Sequence, residues 1–195
     1  MMKILAQSQL PTEFGLFTQY AIENLGEENL PHIVLANLEG INPRQAINLR
    51  IHSECFTGDV LHSIKCDCRA QLTFAQKYIQ EHLGLIIYLR QEGRGIGLTN
   101  KIKAYHLQDQ GLDTIEANKA LGLEVDDRNY SIVGEILAHF DIKKINLISN
   151  NPLKIKALEE MGIKIIDRIP TNISYPENYQ YLQTKKNKMG HLLDL

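Results

Sequence analysis

The residues from Arg50 to Leu72, R-I-H-S-E-C-F-T-G-D-V-L-H-S-I-K-C-D-C-R-A-Q-L, organise this chain: they hold all three of its cysteines, Cys55, Cys66 and Cys68. Thiolates are the softest ligands a protein offers, and zinc is their commonest partner inside cells. Structural zinc sites are usually closed by four protein ligands, whereas catalytic ones keep three and leave a position for water. Three cysteines without a fourth point toward a working zinc. Two other readings stand at this point. Free cysteine also packs as a small hydrophobe, so the group could be two buried thiols and a bystander. Against that, Lys65, Asp67 and Arg69 make the neighbourhood too polar for a buried strand. Alternatively His52 or His62 supplies a fourth ligand and closes the site.

The chain leading into this stretch reads as strands. Phe14, Leu16, Thr18, Tyr20 and Ile22 alternate after a break at Leu10-Pro11, and Ile33 to Leu38 reads as a second strand. A third starts at Ala46, with Ile47, Leu49 and Ile51 on one face. Arg50, His52 and Glu54 then share the other, so a cation, an imidazole and a carboxylate precede the first thiol. A solvated strand face is the plain alternative.

Beyond Cys68 the period changes. Leu72, Ala75, Ile79 and Leu83 form a helical stripe that Gly84 would cap, and Leu85 to Leu89 reads as a short buried strand. Arg90-Gln91-Glu92-Gly93-Arg94-Gly95-Ile96-Gly97 follows. Its glycines allow close backbone approach and its arginines suit phosphate, yet a simple turn explains it as well, and it lacks a dinucleotide or P-loop spacing. Leu98 to Gln110 reads as a helix with Leu98, Ile102 and Tyr105 along one side. Asp113 and Glu116 look like a capping pair opening a short helix to Leu121. After the polar tetrad Asp126-Asp127-Arg128-Asn129, the residues Ile132, Val133, Ile136, Leu137 and Phe140 make a broad helical stripe. A βαβ unit closes the pattern: strand Ile145 to Ser149, Asn151 as N-cap, Pro152 at the first helical position, helix to Met161, strand Ile163 to Ile169. Ser149 and Lys154 fall where a strand's carboxyl end meets a helix N-terminus, a place that favours anionic ligands. Residues 172–195, with Tyr175, Tyr179, Tyr181 and the Lys185-Lys186-Lys188 cluster, read as a packed tail or a solvated face.

The alternation of strands and helices predicts a single α/β domain over residues 1–195, with a mixed, partly parallel β-sheet flanked by helices. A hydrophobic content of 44% and a charged content of 23% are those of an ordinary soluble protein. No apolar run is long enough to span a bilayer, and the first residues do not read as a secretory signal. An odd number of cysteines fits a reducing, cytoplasmic location. With a net charge of -2 and a pI near 6.4, the chain has no general attraction for nucleic acid or membrane. An anionic ligand would be held by a local basic cluster.

Together R-I-H-S-E-C, T-G-D, K-C-D-C, R-Q-E-G-R-G-I-G-L, K-A-Y-H-L-Q-D-Q-G and the closing K-M-G-H-L-L resemble the GTP cyclohydrolase II family. The likeness runs from about Leu10 to the last leucines. It implies a cytoplasmic homodimer that opens the imidazole ring of GTP, releasing formate and pyrophosphate, as the first step of riboflavin biosynthesis. The chain resembles the single-function form, not the fusion with dihydroxybutanone-phosphate synthase. By resemblance, Cys55, Cys66 and Cys68 hold zinc, and magnesium comes with the substrate phosphates. Arg50, His52, Ser53, Glu54, Gln71, Glu92, Gly93, Arg94, Thr114, Ser149 and Lys154 match nucleotide contacts. Asp126 matches the proton acceptor, Arg128 the nucleophile, and Tyr105 a tyrosine acting late in loss of C8. Ser149 stands where many relatives have threonine, and Arg69 where glycine is usual. A nucleophilic arginine is chemically demanding because the guanidinium stays protonated, and clamping the α-phosphate is the more conservative role.

Two rival functions share these residues. His52-Ser53-Glu54 imitates the His-x-Glu of zinc nucleobase deaminases, though those continue with Pro-Cys-x-x-Cys and this chain has Cys-x-Cys. A non-catalytic zinc module is the other, and it would have a closed four-ligand site.

Overall fold

The computed structural model describes residues 2–24, 30–42, 45–124, 126–174 and 176–193. Tyr175 lies outside them.

Seven strands form one mixed sheet: β1 (Ile4–Thr12), β2 (Gly15–Ile22), β3 (His32–Asn37), β4 (Ile47–Ser53), β5 (Gly84–Leu89), β6 (Lys144–Ile148) and β7 (Lys164–Ile169). Their spatial order is β1-β2-β3-β5-β4-β6-β7. The first part is an antiparallel meander, and β5, β4, β6 and β7 run parallel to one another. The helices are α1 (Phe56–Asp59), α2 (Cys68–His82), α3 (Gly97–Asp109), α4 (Thr114–Ala120), α5 (Ser131–His139), α6 (Pro152–Glu160) and α7 (Tyr179–Met189). This is the single-domain α/β fold with a mixed, helix-flanked sheet that the sequence pattern predicts.

Three local expectations change. Leu10-Pro11 is not a break: β1 continues through Pro11, which pairs with Leu16. β1 is the edge of the sheet, where a missing N–H is tolerated. Gly84 does not cap α2 but opens β5 with φ +146. A Cβ there would lie 2.1 Å from the carbonyl oxygen of Asn48 on the neighbouring parallel strand, so only glycine fits. The third change is in α3, which buries Lys101 and Ala104 while Ile102 is 55% exposed. That helix faces a polar site instead of the apolar core.

The decisive strand is β4. Ile47, Leu49 and Ile51 point into the larger core, against Val133, Ile136 and Leu137 of α5. Each of those fully buried side chains stabilises the fold by about 1.5–3 kcal/mol. The other face carries Asn48, Arg50 and His52, at 8%, 4% and 2% exposure, so it is a buried polar ladder and not a solvated face. This ladder faces α2, whose Ala75 and Ile79 pack on Ile86 of β5 in the smaller core. The Asn48 amide donates to the carbonyls of His82 and Leu83, satisfying the carboxyl end of α2. Arg50 and His52, further along the strand, lead to the site.

The predicted capping box at Asp113 and Glu116 opens α4, and Asn151 caps α6 with Pro152 in its first turn. Both devices satisfy N–H groups that a helix start leaves unpaired.

Candidate functional site

The carboxyl ends of β4, β5 and β6 open into a cavity of about 520 Å³. It is lined by every predicted site residue except Asp126: Arg50, His52, Ser53, Glu54, Cys55, Cys66, Cys68, Gln71, Glu92, Gly93, Arg94, Tyr105, Thr114, Arg128, Ser149 and Lys154. Asp126 stands behind the wall and reaches it through Arg128.

The three cysteines converge. Their sulfurs lie within 4.8 Å of one another, with Cys55 and Cys66 at 3.6 Å. Thiolates about 2.3 Å from a tetrahedral zinc sit roughly 3.8 Å apart, so the spacing fits that ion. Gly58, in the T-G-D motif, makes the convergence possible. A Cβ on it would lie 2.9 Å from Cys66 Sγ, 3.1 Å from Cys55 Sγ and 3.1 Å from Cys68 Cβ. Among the described residues neither His52 nor His62 joins the group. His52 is instead turned to Asp59, with Nε2 at 3.1 Å from Oδ2. A carboxylate accepts, so Nε2 carries the proton. Burial pushes His52 below its usual pKa against the opposing pull of Asp59, which leaves the imidazole neutral.

Asp59 was missed as a site residue in its own right. It accepts from the Tyr88 hydroxyl at 2.9 Å and the Cys55 backbone N–H at 3.0 Å, so one carboxylate orients His52, Tyr88 and the first thiol. Arg69 fits its place: it donates to the Asp59 carbonyl at 2.9 Å. Hydrogen bonding by the Cys66 and Cys68 thiols, and then Lys101, holds the Cys55 thiol far below its usual pKa despite burial.

Cations gather in the same cavity. Arg50 donates to Gln71 Oε1 at 2.6 Å and to the Ile148 carbonyl at 3.0 Å. Lys154 donates to the Ile51 carbonyl at 2.7 Å. Burial, then the charges of Arg50, Arg128 and Lys185, push Lys154 well below its ordinary pKa. Arg94 sits in the left-handed region (φ 63) inside a 3-10 turn, Glu92–Gly95, and its Nη1 is buried without a partner. Such crowding of like charge is costly unless a polyanion enters. Glu54 pairs with Arg90 at 2.5 Å, and Glu92 faces inward to Lys101 at 2.8 Å.

Asp126 and Arg128 form a bidentate pair, Nε to Oδ1 at 2.7 Å and Nη2 to Oδ2. Burial opposes the charge on both. The mutual hydrogen bonds prevail, holding Asp126 below and Arg128 above their usual values. In this arrangement Asp126 is a weak base and Arg128 a fixed cation. Tyr105 is pushed upward by burial, although Lys101 pulls the other way, so it is a neutral phenol; its hydroxyl hydrogen-bonds Thr57.

The C-terminal segment, expected to be a packed tail or solvated face, forms part of the wall. Glu177, Tyr181, Thr184, Lys185, His191 and Leu193 line the cavity. Lys185 is pinned to Asp67, between two of the thiols, at 2.9 Å with only 12% and 1% of the side chains exposed. His191 is held down to about 3 by burial and then by Lys185, Arg94, Arg128 and Lys154. No local pattern in the tail signals this role; its lysines read equally well as solvent-facing. Lys101 left a clearer trace, since it is four residues before Tyr105 and so shares its helix face.

Fold and site together define an α/β protein that joins three converging thiols, spaced to suit a metal ion, and a cluster of cations in one cavity. Residues 3–170 match the family model for GTP cyclohydrolase II. The chain is 48% identical over 195 residues to GTP cyclohydrolase-2 from Neisseria meningitidis, covering 99% of this chain and 98% of that one. It is 50% identical over 195 residues to GTP cyclohydrolase-2 from Picrophilus torridus, covering 98% and 100%. Riboflavin biosynthesis protein RibBA from Staphylococcus epidermidis is 51% identical over 190 residues; the match covers 96% of this chain but spans only 47% of that protein. This chain belongs to the GTP cyclohydrolase II family.

Among the described residues no helix is long and apolar enough to cross a membrane.

Proposed function

We propose that the chain is a zinc-dependent hydrolase that opens the imidazole ring of GTP. Formate and pyrophosphate leave, and a diamino-pyrimidinone ribosyl phosphate enters riboflavin biosynthesis. The observation that carries this reading is the shared cavity: the three cysteines and the cations Arg50, Arg94, Arg128, Lys154 and Lys185 line one space. A ring-opening centre and a triphosphate site have to be that close to act on one nucleotide. Zinc held by Cys55, Cys66 and Cys68 would supply Lewis acidity and an activated water for attack on the ring carbon.

The chain's own residues do the rest. Arg128 keeps its charge and presents a planar fork, the geometry that clamps a phosphate, with Asp126 holding it in place. Burial and then the surrounding cations weaken proton binding at Lys154 and His191, and a polyanion strengthens it again, so both groups favour an anionic ligand. Magnesium comes bound to the phosphates. Tyr105, as a neutral phenol beside Thr57, is placed to donate or relay a proton during loss of C8. Burial keeps His52 neutral and Asp59 orients it, so His52 offers Nδ1 toward Arg50 at 3.4 Å.

A homodimer in the cytoplasm is part of the same reading. It is supported by the family resemblance and by the exposed Leu5 on the edge strand β1. Sedimentation of the purified protein tests the dimer.

The deciding experiment incubates the protein with GTP and magnesium and identifies the products. Formate and pyrophosphate in equal amounts are expected, with ATP turned over far more slowly. Ammonia in place of formate would indicate a deaminase; no turnover with zinc bound would indicate a non-catalytic zinc module.

A further inference from the structure

We propose that Lys101 is a positioning residue for the metal centre, acting through Cys55. Its ammonium donates a hydrogen bond to the Cys55 sulfur and offsets the charge that three thiolates place on the ion. The inference rests on the zinc reading above and deepens it.

The geometry is specific. Lys101 Nζ lies 3.0 Å from Cys55 Sγ and 2.8 Å from Glu92 Oε1, with 11% of the side chain exposed. Glu92 is itself fixed, accepting from the Gly93 N–H at 2.7 Å and the Phe56 N–H at 2.5 Å. Gly93 adopts φ +61, and a Cβ there would sit 3.2 Å from Lys101 Cβ, so the turn before α3 leaves room for the lysine. The ammonium is thus held from two sides and aimed at one sulfur.

The chemistry explains why a cation belongs there. Three thiolates around a divalent ion carry a formal charge of minus one, and such a centre acidifies water less well than one built on neutral histidines. A charge-assisted N–H···S bond draws electron density from the sulfur and restores acidity to the metal. Partners that contact ligands but not the metal commonly change metal affinity or activity by about 10–100-fold. Cys66 and Cys68 have no such cation within hydrogen-bond reach among the described residues.

The test substitutes cobalt for zinc and records the thiolate-to-cobalt charge-transfer band without nucleotide. Removing an N–H···S bond raises the energy of the sulfur lone pair, so Lys101→Met is expected to move the band to longer wavelength. Lys101→Arg, which keeps a cationic donor, is expected to return it toward the parent position. Formate release by the zinc-loaded Lys101→Met variant should fall by about 10–100-fold. Because Lys101→Met leaves the Glu92 carboxylate short of a partner, the double variant Lys101→Met/Glu92→Gln repeats the measurement with both charges gone. A band at the parental wavelength in the folded single or double variant would overturn the proposal, as would failure of the parent to bind cobalt. Because the spectrum needs no substrate, a shifted band in a protein that does not turn over GTP would sink the hydrolase reading and leave the role of Lys101 intact.

Discussion

Replacing Gly58 by alanine tests the metal centre through a residue that carries no ligand. The added methyl would lie 2.9 Å from Cys66 Sγ and 3.1 Å from Cys55 Sγ, where ordinary contact begins at 3.4 Å. The shortfalls are 3.4 − 2.9 = 0.5 Å and 3.4 − 3.1 = 0.3 Å. Helix α1 cannot easily yield, because Asp59 ties it to Cys55, His52 and Tyr88 and Ser63 N–H donates to the Thr57 carbonyl at 2.8 Å. The thiols have to move instead. Metal–sulfur distances tolerate only about 0.2 Å, so the displaced sulfurs no longer converge on one ion. Overpacking of this kind costs about 1–3 kcal/mol. In the metal-free protein the thiols can rotate away, so the cost falls on the bound state. It corresponds to zinc binding weakened by roughly fivefold to over a hundredfold. Competition against a chromophoric chelator measures it, with circular dichroism checking the fold. Gly40→Ala is the control, having φ +77 but nothing within 4 Å of its Cβ. Zinc affinity in folded Gly58→Ala within about twofold of the parent would refute the reasoning.

Three more expectations follow from the cavity wall. Arg128→Ala should suppress pyrophosphate release, while Arg128→Lys should recover part of it if the guanidinium clamps phosphate; a lysine variant as inactive as alanine would favour covalent attack. Tyr105→Phe keeps the ring and should slow formate release or accumulate a formylated product with the fold intact; a normal formate rate would make the hydroxyl structural. His191, held down to about 3 from 6.5, contributes stability that is complete above 6.5 and lost as pH falls toward 3. Urea unfolding of the parent should therefore weaken on acidification more than that of His191→Gln, and parallel curves would contradict this; inorganic tripolyphosphate should also bind with proton uptake.

Much of this protein is legible in its primary structure because the signals are local. Alternation along β4, the stripe of α5, the capping box at Asp113 and the Asn151-Pro152 helix start each follow from spacing within a few residues. The same holds for the thiol group, because Cys55, Cys66 and Cys68 lie in one short stretch. Burial was not legible. A solvated face stays open for Arg50 and His52 until α2 is laid across them, and Pro11 reads as a break until β1 is known to be an edge. The partners of Lys101, Asp59 and Lys185 lie beyond a linear reading. Lysine on a helix usually faces water, and what makes Lys101 a partner of Cys55 is the contact of α3 with a turn whose glycine leaves it room. Lys185 is separated from Asp67 by 118 residues, and its pairing exists only because the chain's end returns to cover the cavity. Spacing along the chain sets which side chains can share a face. The electrostatics of this site depend on which faces meet and how far water is excluded between them, and only the packed structure decides that.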